Sequence, residues 1–149
     1  MLSTLFTSSS IPLLEQVVNF TEARHGVLAG NIANLDTPGY RTRDLSPEMF
    51  HTRLKEAIEA RHAAKTQNYG YGYYGPSSTR RSDSSDPNWE PFQHVKDSMK
   101  SILRHDNDDV SMEHQINEMV KNQTEHNLAI NIMSAQFRLL RAAVTERVA

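Results

Sequence analysis

The sequence predicts an all-α protein built on two long helices that pair along a heptad seam. Leu14, Val18, Thr21, His25, Leu28, Ile32 and Leu35 recur with alternating steps of four and three, the spacing of a helix-pairing seam. Met112, Ile116, Met119, Gln123, His126, Ile130, Met133, Phe137, Leu140 and Val144 repeat the same steps in a stretch free of Gly and Pro. Between the two lie shorter helical patterns and a Gly/Ser/Tyr-rich tract.

The first helix is expected to start at Ser10-Ile11-Pro12, an N-cap followed by a proline in the first turn, where its missing N–H costs nothing. It stops at Thr37-Pro38-Gly39-Tyr40. The residue before a proline avoids the helical region, and Pro-Gly fits the central positions of a type II turn. Asn31 and Asn34 lie in the last turn, where short amides can bind carbonyls left without intrahelical partners. Gly26 and Gly30 each weaken the helix by ~1 kcal/mol relative to Ala and leave room for a close neighbour.

A second, shorter helix is expected from Ser46-Pro47-Glu48, with Phe50, Leu54, Ala57, Ile58 and Arg61 on one face. The spacing of Val95, Met99, Ile102 and Leu103 predicts a third over 92–103. Between them, Asn68 to Pro87 carries no hydrophobic period and reads as a flexible loop at about 66–91. The last helix spans about 111–148, capped by Asp109 or Ser111. Glu113, Glu118 and Glu125 lie in its first half and Arg138, Arg141 and Arg147 toward its end, as the helix dipole favours.

Both long helices carry apolar residues beside their seams: Leu13, Val17, Phe20 and Val27 on the first, Leu128, Ile132 and Leu139 on the second. Pairing the seams buries one face of each helix, so these residues call for further neighbours, most naturally other copies or related subunits.

Composition narrows the function. The 149 residues carry 16 basic and 18 acidic side chains, a net charge of −2 and 38% hydrophobic residues. That balance gives no footprint for nucleic acid, and Arg80-Arg81 beside two aspartates is too weak to supply one. No stretch reaches the length of a membrane span, so no direct membrane insertion is expected. Residues 1–11 have neither a basic segment nor a long apolar run, so no cleavable secretory signal is expected. The absence of cysteine removes thiol chemistry and thiolate metal sites.

No nucleophile with a base, carboxylate pair or phosphate loop occurs at usable spacing, so neither enzymatic activity nor a cofactor is expected. His25 and His126 fall on the two seams. Without a carboxylate on those faces they read as a polar register layer with Thr21 and Gln123 rather than a metal site. Asp106-Asn-Asp-Asp109 lacks the glycine and distal glutamate of a calcium loop. Asn122-Gln-Thr124 matches a glycosylation sequon but falls within a helix.

Asn31-Ile-Ala33-Asn34-Leu-Asp-Thr37-Pro38-Gly39-Tyr40 holds all the fixed positions of the Asn-x-Ala-Asn-x-x-Thr-Pro-Gly-Tyr signature of bacterial flagellar axial proteins. The segment 106–148 resembles the C-terminal helix of the flagellar rod proteins, with Asn107 where Gly is usual. Arg43-Asp44 after Tyr40 and the short chain most resemble the proximal rod members.

The resemblance implies that 1–35 and 109–149 pair as an antiparallel coiled-coil core domain, with 36–108 as a central segment. It implies a structural subunit of the basal-body rod, polymerising through its terminal helices to transmit torque across the periplasm. Its expected partners are other copies of itself, other rod proteins, the membrane-ring adaptor at the rod base and the flagellar type III export apparatus. The expected assembly seam is Leu14, Val18, Leu28, Ile32 and Leu35 with Ile116, Met119, Ile130, Met133, Phe137, Leu140 and Val144. From the helical pair alone, two readings stay open: another rod protein, or a soluble helical adaptor or export chaperone that holds a partner helix in its groove.

Overall fold

The computed structural model describes residues 9–67, 90–98, 102–103 and 111–146. In chain order they form α1 (Ile11–Ala33), β1 (Arg43–Asp44), α2 (Pro47–Gln67), α3 (Glu90–Asp97), β2 (Ile102–Leu103) and α4 (Met112–Glu146). The described fold is mostly helical, as the periodicity predicts. The expected loop lies largely in 68–89, and the Asp106–Asp109 cluster in 104–110, both outside the described residues.

A serine caps the start of α1, α2 and α4. The Ser9 hydroxyl accepts the Ile11 N–H at 3.3 Å, so the side-chain cap of α1 is one residue earlier than Ser10, whose own side chain makes no capping bond. Ser46 Oγ accepts the Met49 N–H at 3.3 Å, and Ser111 Oγ accepts the His114 N–H at 3.3 Å. Each accepts an N–H that the first turn cannot pair internally.

Two expectations change. The second helix is not short: α2 runs 21 residues, nearly matching the 23 of α1. The third ends at Asp97 rather than Leu103. Ser98 closes it, its N–H on the His94 and Val95 carbonyls and its Oγ on Val95 O. Ile102 and Leu103 pair instead as a two-residue antiparallel ladder, Asp44 opposite Ile102 and Arg43 opposite Leu103. The returning strand offers backbone partners that an isolated helical pattern cannot reveal.

The dry core joins α1, β1, α2 and α3 around Phe20, Leu45, Phe50, Ala57 and Val95, with Leu13, Val17, Val27, Leu54 and Ala60 against its edge. The Phe20 and Phe50 rings stack at 3.9 Å between centroids, 8° from parallel. Arg61, buried on α2, reaches the Ser9 carbonyl and ties the far end of that helix to the start of α1. Leu13, Val17, Phe20 and Val27 therefore find their neighbours inside the chain. The expectation that a second copy covers them is corrected: the long α2 supplies that cover.

Phe50→Ala removes one stacked ring from a fully buried site. It is expected to cost about 3–5 kcal/mol, measured as a lower urea midpoint by circular dichroism. A loss below ~1 kcal/mol would show that the stack does not support the core.

Candidate functional site

The signature segment closes α1 with three successive hydrogen bonds. Asn34 Nδ2 donates to the Gly30 carbonyl at 2.8 Å, satisfying one of the orphan acceptors at the helix end. The Thr37 N–H donates to Asn34 O at 3.0 Å and the Tyr40 N–H to Thr37 O at 3.1 Å. Pro38 and Gly39 are thus the central pair of a four-residue turn. Gly39 has φ +79°, the value a type II turn requires at that position.

Asn31 does something else. It reaches no helix-end carbonyl but clasps the returning chain: Nδ2 donates to Arg43 O at 2.6 Å, and Oδ1 accepts the Arg43 N–H at 3.1 Å. One side-chain amide thereby satisfies both backbone groups of Arg43, as a neighbouring strand would. The same Oδ1 accepts the Tyr40 hydroxyl at 3.2 Å, and Nδ2 meets Gln115 Oε1 on α4 at 3.3 Å. Asn31 is almost wholly buried, while Ala33, Thr37, Pro38 and Gly39 are exposed. The signature is an intrachain clasp joining α1, the turn, β1 and α4.

Two turns earlier on α1 lies a charged junction that sequence reasoning missed. Arg24 is buried, with Nε and Nη2 on the two carboxylate oxygens of Asp44 at 3.1 Å each. Nη2 also meets Glu118 Oε2 at 2.9 Å, and Lys121 holds Glu118 Oε1 at 2.7 Å. Burial alone would lower the Arg24 pKa, but its bonds to Asp44 and Glu118 outweigh that and raise it. Lys121 and then Arg24 hold the Glu118 carboxyl below its ordinary value. Removing one partner would strand buried charge, at about 3–5 kcal/mol. The available signal was an arginine at a core-facing position one helical turn from Phe20 and Leu28, with Asp44 in the return strand.

The α1–α4 contact continues in the same polar manner. Asn122 Nδ2 donates to Thr21 O at 2.8 Å, and the Thr21 hydroxyl lies 2.9 Å from His126 Nδ1. Thr21 Oγ1 also donates toward Val17 O or Val18 O, at 3.0 and 2.9 Å. With its one proton so used, His126 Nδ1–H is the donor to Thr21. The expected polar layer thus contains Thr21 and His126. His25 is exposed, and Gln123 turns outward to Asn127 at 3.1 Å, leaving Asn122 in the place expected for Gln123. The sequon at Asn122 is sequestered, since its amide nitrogen is buried and bonded to Thr21.

On α1, Leu28 is buried and Leu14, Val18, Ile32 and Leu35 are half-buried. On α4, Met119, Met133 and Leu140 are half-buried, whereas Ile116, Ile130, Phe137 and Val144 are exposed. The α4 face against α1 carries Gln115, Asn122 and Ala129, one residue before Ile116, Gln123 and Ile130. The cause lies in α1. Its bulkiest apolar face is committed to the Phe50 core, so Thr21, Arg24, Leu28 and Asn31 are what it offers α4.

Two apolar flanks of α4 are left open. At about 100° per residue, Met112, Ile116, Ile130, Phe137 and Val144 line one side of the contact with α1, and Leu128, Ile132 and Leu139 the other, roughly half a turn away. Leu128 is 59% and Leu139 65% exposed. Among the described residues no helix is long and apolar enough to cross a membrane, and no three His, Asp or Glu side chains gather as metal ligands.

The described residues form a mostly helical chain in which α1 and α4 are joined by polar contacts and the apolar flanks of α4 are exposed. The comparisons with known proteins point to the flagellar rod proteins. The chain is similar to the flagellar basal body rod protein FlgB of Aquifex aeolicus, 54% identical over 35 residues, covering 24% of this chain and 28% of the relative. It is similar to FlgB of Yersinia enterocolitica, 36% identical over 52 residues (35% of this chain, 36% of the relative). FlgB of Escherichia coli K12 is 42% identical over 45 residues, 30% of each chain. The matches span about a third of these relatives' length. No protein-family model matches the chain, and no solved structure does.

Asn31→Leu removes the side-chain partner of both Arg43 backbone groups. It is expected to cost about 1–3 kcal/mol, and the Arg43 amide should lose its hydrogen-exchange protection in NMR. Gly39→Val places a β-branched residue at φ +79° and should cost about 1–2 kcal/mol; a denaturation midpoint equal to wild type would overturn the turn assignment.

Proposed function

We propose that this chain is a structural subunit of the proximal rod of the bacterial flagellar basal body. It polymerises through its terminal helices and helps transmit torque across the periplasm. The observation that carries the reading is the pair of apolar flanks on α4, exposed on opposite sides of a helix already seated on α1. A closed two-fold dimer hides one patch on each partner, whereas two opposed flanks suit head-to-tail packing, in which every copy has a neighbour on each side. The similarity to proteins named FlgB supports the rod as the setting.

In this reading α1 and α4 form an antiparallel coiled-coil unit, with residues 36–108 as a central segment whose α2 and α3 pack on α1. Contacts that step from Thr21–His126 through Arg24–Glu118 to Asn31–Gln115 support the opposite sense of the two helices. The seam residues Ile116, Ile130, Phe137 and Val144 face other subunits, whether copies of this chain, other rod proteins or the adaptor at the rod base. Delivery is through the flagellar type III export apparatus.

Ile130→Asp and Phe137→Asp put a charge on one flank while changing residues that are 41% and 45% exposed in the single chain. The fold should be nearly unaffected, within about 0.5 kcal/mol, while incorporation into the rod is lost. Electron microscopy of basal bodies from cells lacking the gene, complemented with each variant, reads the outcome as rings without a rod. Wild-type rods and motility in both variants would remove this flank from the assembly surface. Intact flagella in the uncomplemented deletion strain, with no second copy present, would overturn the rod assignment itself.

A further inference from the structure

We propose that Arg24, Asp44 and Glu118 form an acid-sensitive latch that releases α4 from α1 and β1 while the core of α1, α2 and α3 stays folded. The inference stands on the coordinates of the single chain and does not depend on the rod assignment.

The chain is held together by two unlike contacts that share α1. On one side Phe20 stacks on Phe50 among Leu45, Ala57 and Val95, a contact without ionisable groups at its centre. On the other, the buried residues of α4 are Gln115, Asn122 and Ala129, meeting Thr21, Arg24, Leu28 and Asn31. Among the described residues Ala129 is the one apolar side chain of α4 that is fully buried, with Met119, Met133 and Leu140 half-buried. Asn122 Oδ1 is also buried with no donor among the described residues, which subtracts from the contact. The attachment of α4 therefore rests heavily on its charge-assisted bonds.

Those bonds meet at Arg24. The charged groups facing it are Asp44 from β1 and Glu118 from α4, with Lys121 of α4 on the outer oxygen of Glu118. Arg24 remains protonated at any pH in question, so only the carboxylates can switch. The Glu118 carboxyl, held down by Lys121 and Arg24, contributes stability above its ordinary titration range. That contribution is lost as pH falls through the lower value it has in the folded chain. Protonated Glu118 no longer gives the buried Arg24 guanidinium an anionic partner on α4, so the charge-assisted link between α4 and α1 is lost and the way to rehydrate Arg24 is to separate the two helices. Nothing in the Phe20–Phe50 core titrates in that range.

The absence of cysteine makes a clean distance experiment possible in the full chain. Nitroxide labels on Ala23→Cys and Asn117→Cys report the α1–α4 separation, and labels on Ala23→Cys and Lys55→Cys report α1–α2; all three sites are exposed. Pulsed dipolar spectroscopy between pH 7 and pH 3 should show the α1–α4 distance broadening as the pH falls below the ordinary carboxylate range. The close population should fall about tenfold or more, with the α1–α2 distance unchanged. Adding Glu118→Gln and Asp44→Asn should give the broad α1–α4 distribution already at pH 7, with no further response to acid.

An α1–α4 distance that holds to pH 3, or two distances that broaden together, would overturn the latch. So would a double variant that keeps the wild-type acid response. The wild-type titration decides the matter by itself should the double variant fail to fold, a failure the α1–α2 pair would report.

Discussion

The carboxamide of Asn31 joins four parts of the described molecule: α1, the turn, β1 and α4. Through one oxygen and one nitrogen it holds both backbone groups of Arg43, the hydroxyl of Tyr40 and the amide of Gln115. The rest of the architecture needs that clasp. It turns the chain back alongside α1, which sets Leu45 into the dry core and Asp44 against Arg24. It also gives β2 an ordered strand on which to pair. No aspartate could replace it, because Arg43 presents a donor and an acceptor and a carboxylate offers only acceptors.

Much of this was legible in the sequence. The starts of the long helices, the proline–glycine stop and the apolar face of α2 follow from local rules: serine before the first turn, φ > 0 only at glycine, Phe50, Leu54, Ala57 and Arg61 at helical spacing. The less legible features are long-range. Ile102 and Leu103 fit a helical period as well as a strand, and only the returning Arg43–Asp44 backbone decides between them. Asn31 looked like a helix-end amide because its distant partner is invisible to spacing. Arg24 carries no local sign of its role for the same reason, since Asp44 lies 20 residues away and Glu118 lies 94.

The heptad on α4 shows how a correct period can still misplace a face. Ile116, Ile130, Phe137 and Val144 are regularly spaced, and spacing alone assigns them to the partner helix. But α1 has two candidate faces and one neighbour rich in aromatic and aliphatic side chains. Phe20 gains more by stacking on Phe50 than by meeting α4, so α1 turns that face inward and offers α4 its polar side. Rotating α4 by about one residue lets Gln115, Asn122 and Glu118 answer Asn31, Thr21 and Arg24. The cost of that match is an apolar stripe left in water.

That arrangement inverts the usual order, with polar contacts inside the pair and apolar residues outside it. The inversion has a physical logic for a subunit meant to pack with others. Hydrogen-bonded and ionic pairs are sharp in geometry and modest in net stability, so they fix the register of α4 on α1 without making the pair rigidly permanent. Apolar flanks are permissive in geometry and large in free energy when covered. Register is settled inside one chain, where partners are always present at high effective concentration. In the proposed assembly the larger gain would come from contacts that exist only when neighbours arrive, and growth would be coupled to holding α4 in place, since a neighbour seated on both flanks would also keep the Arg24 junction closed.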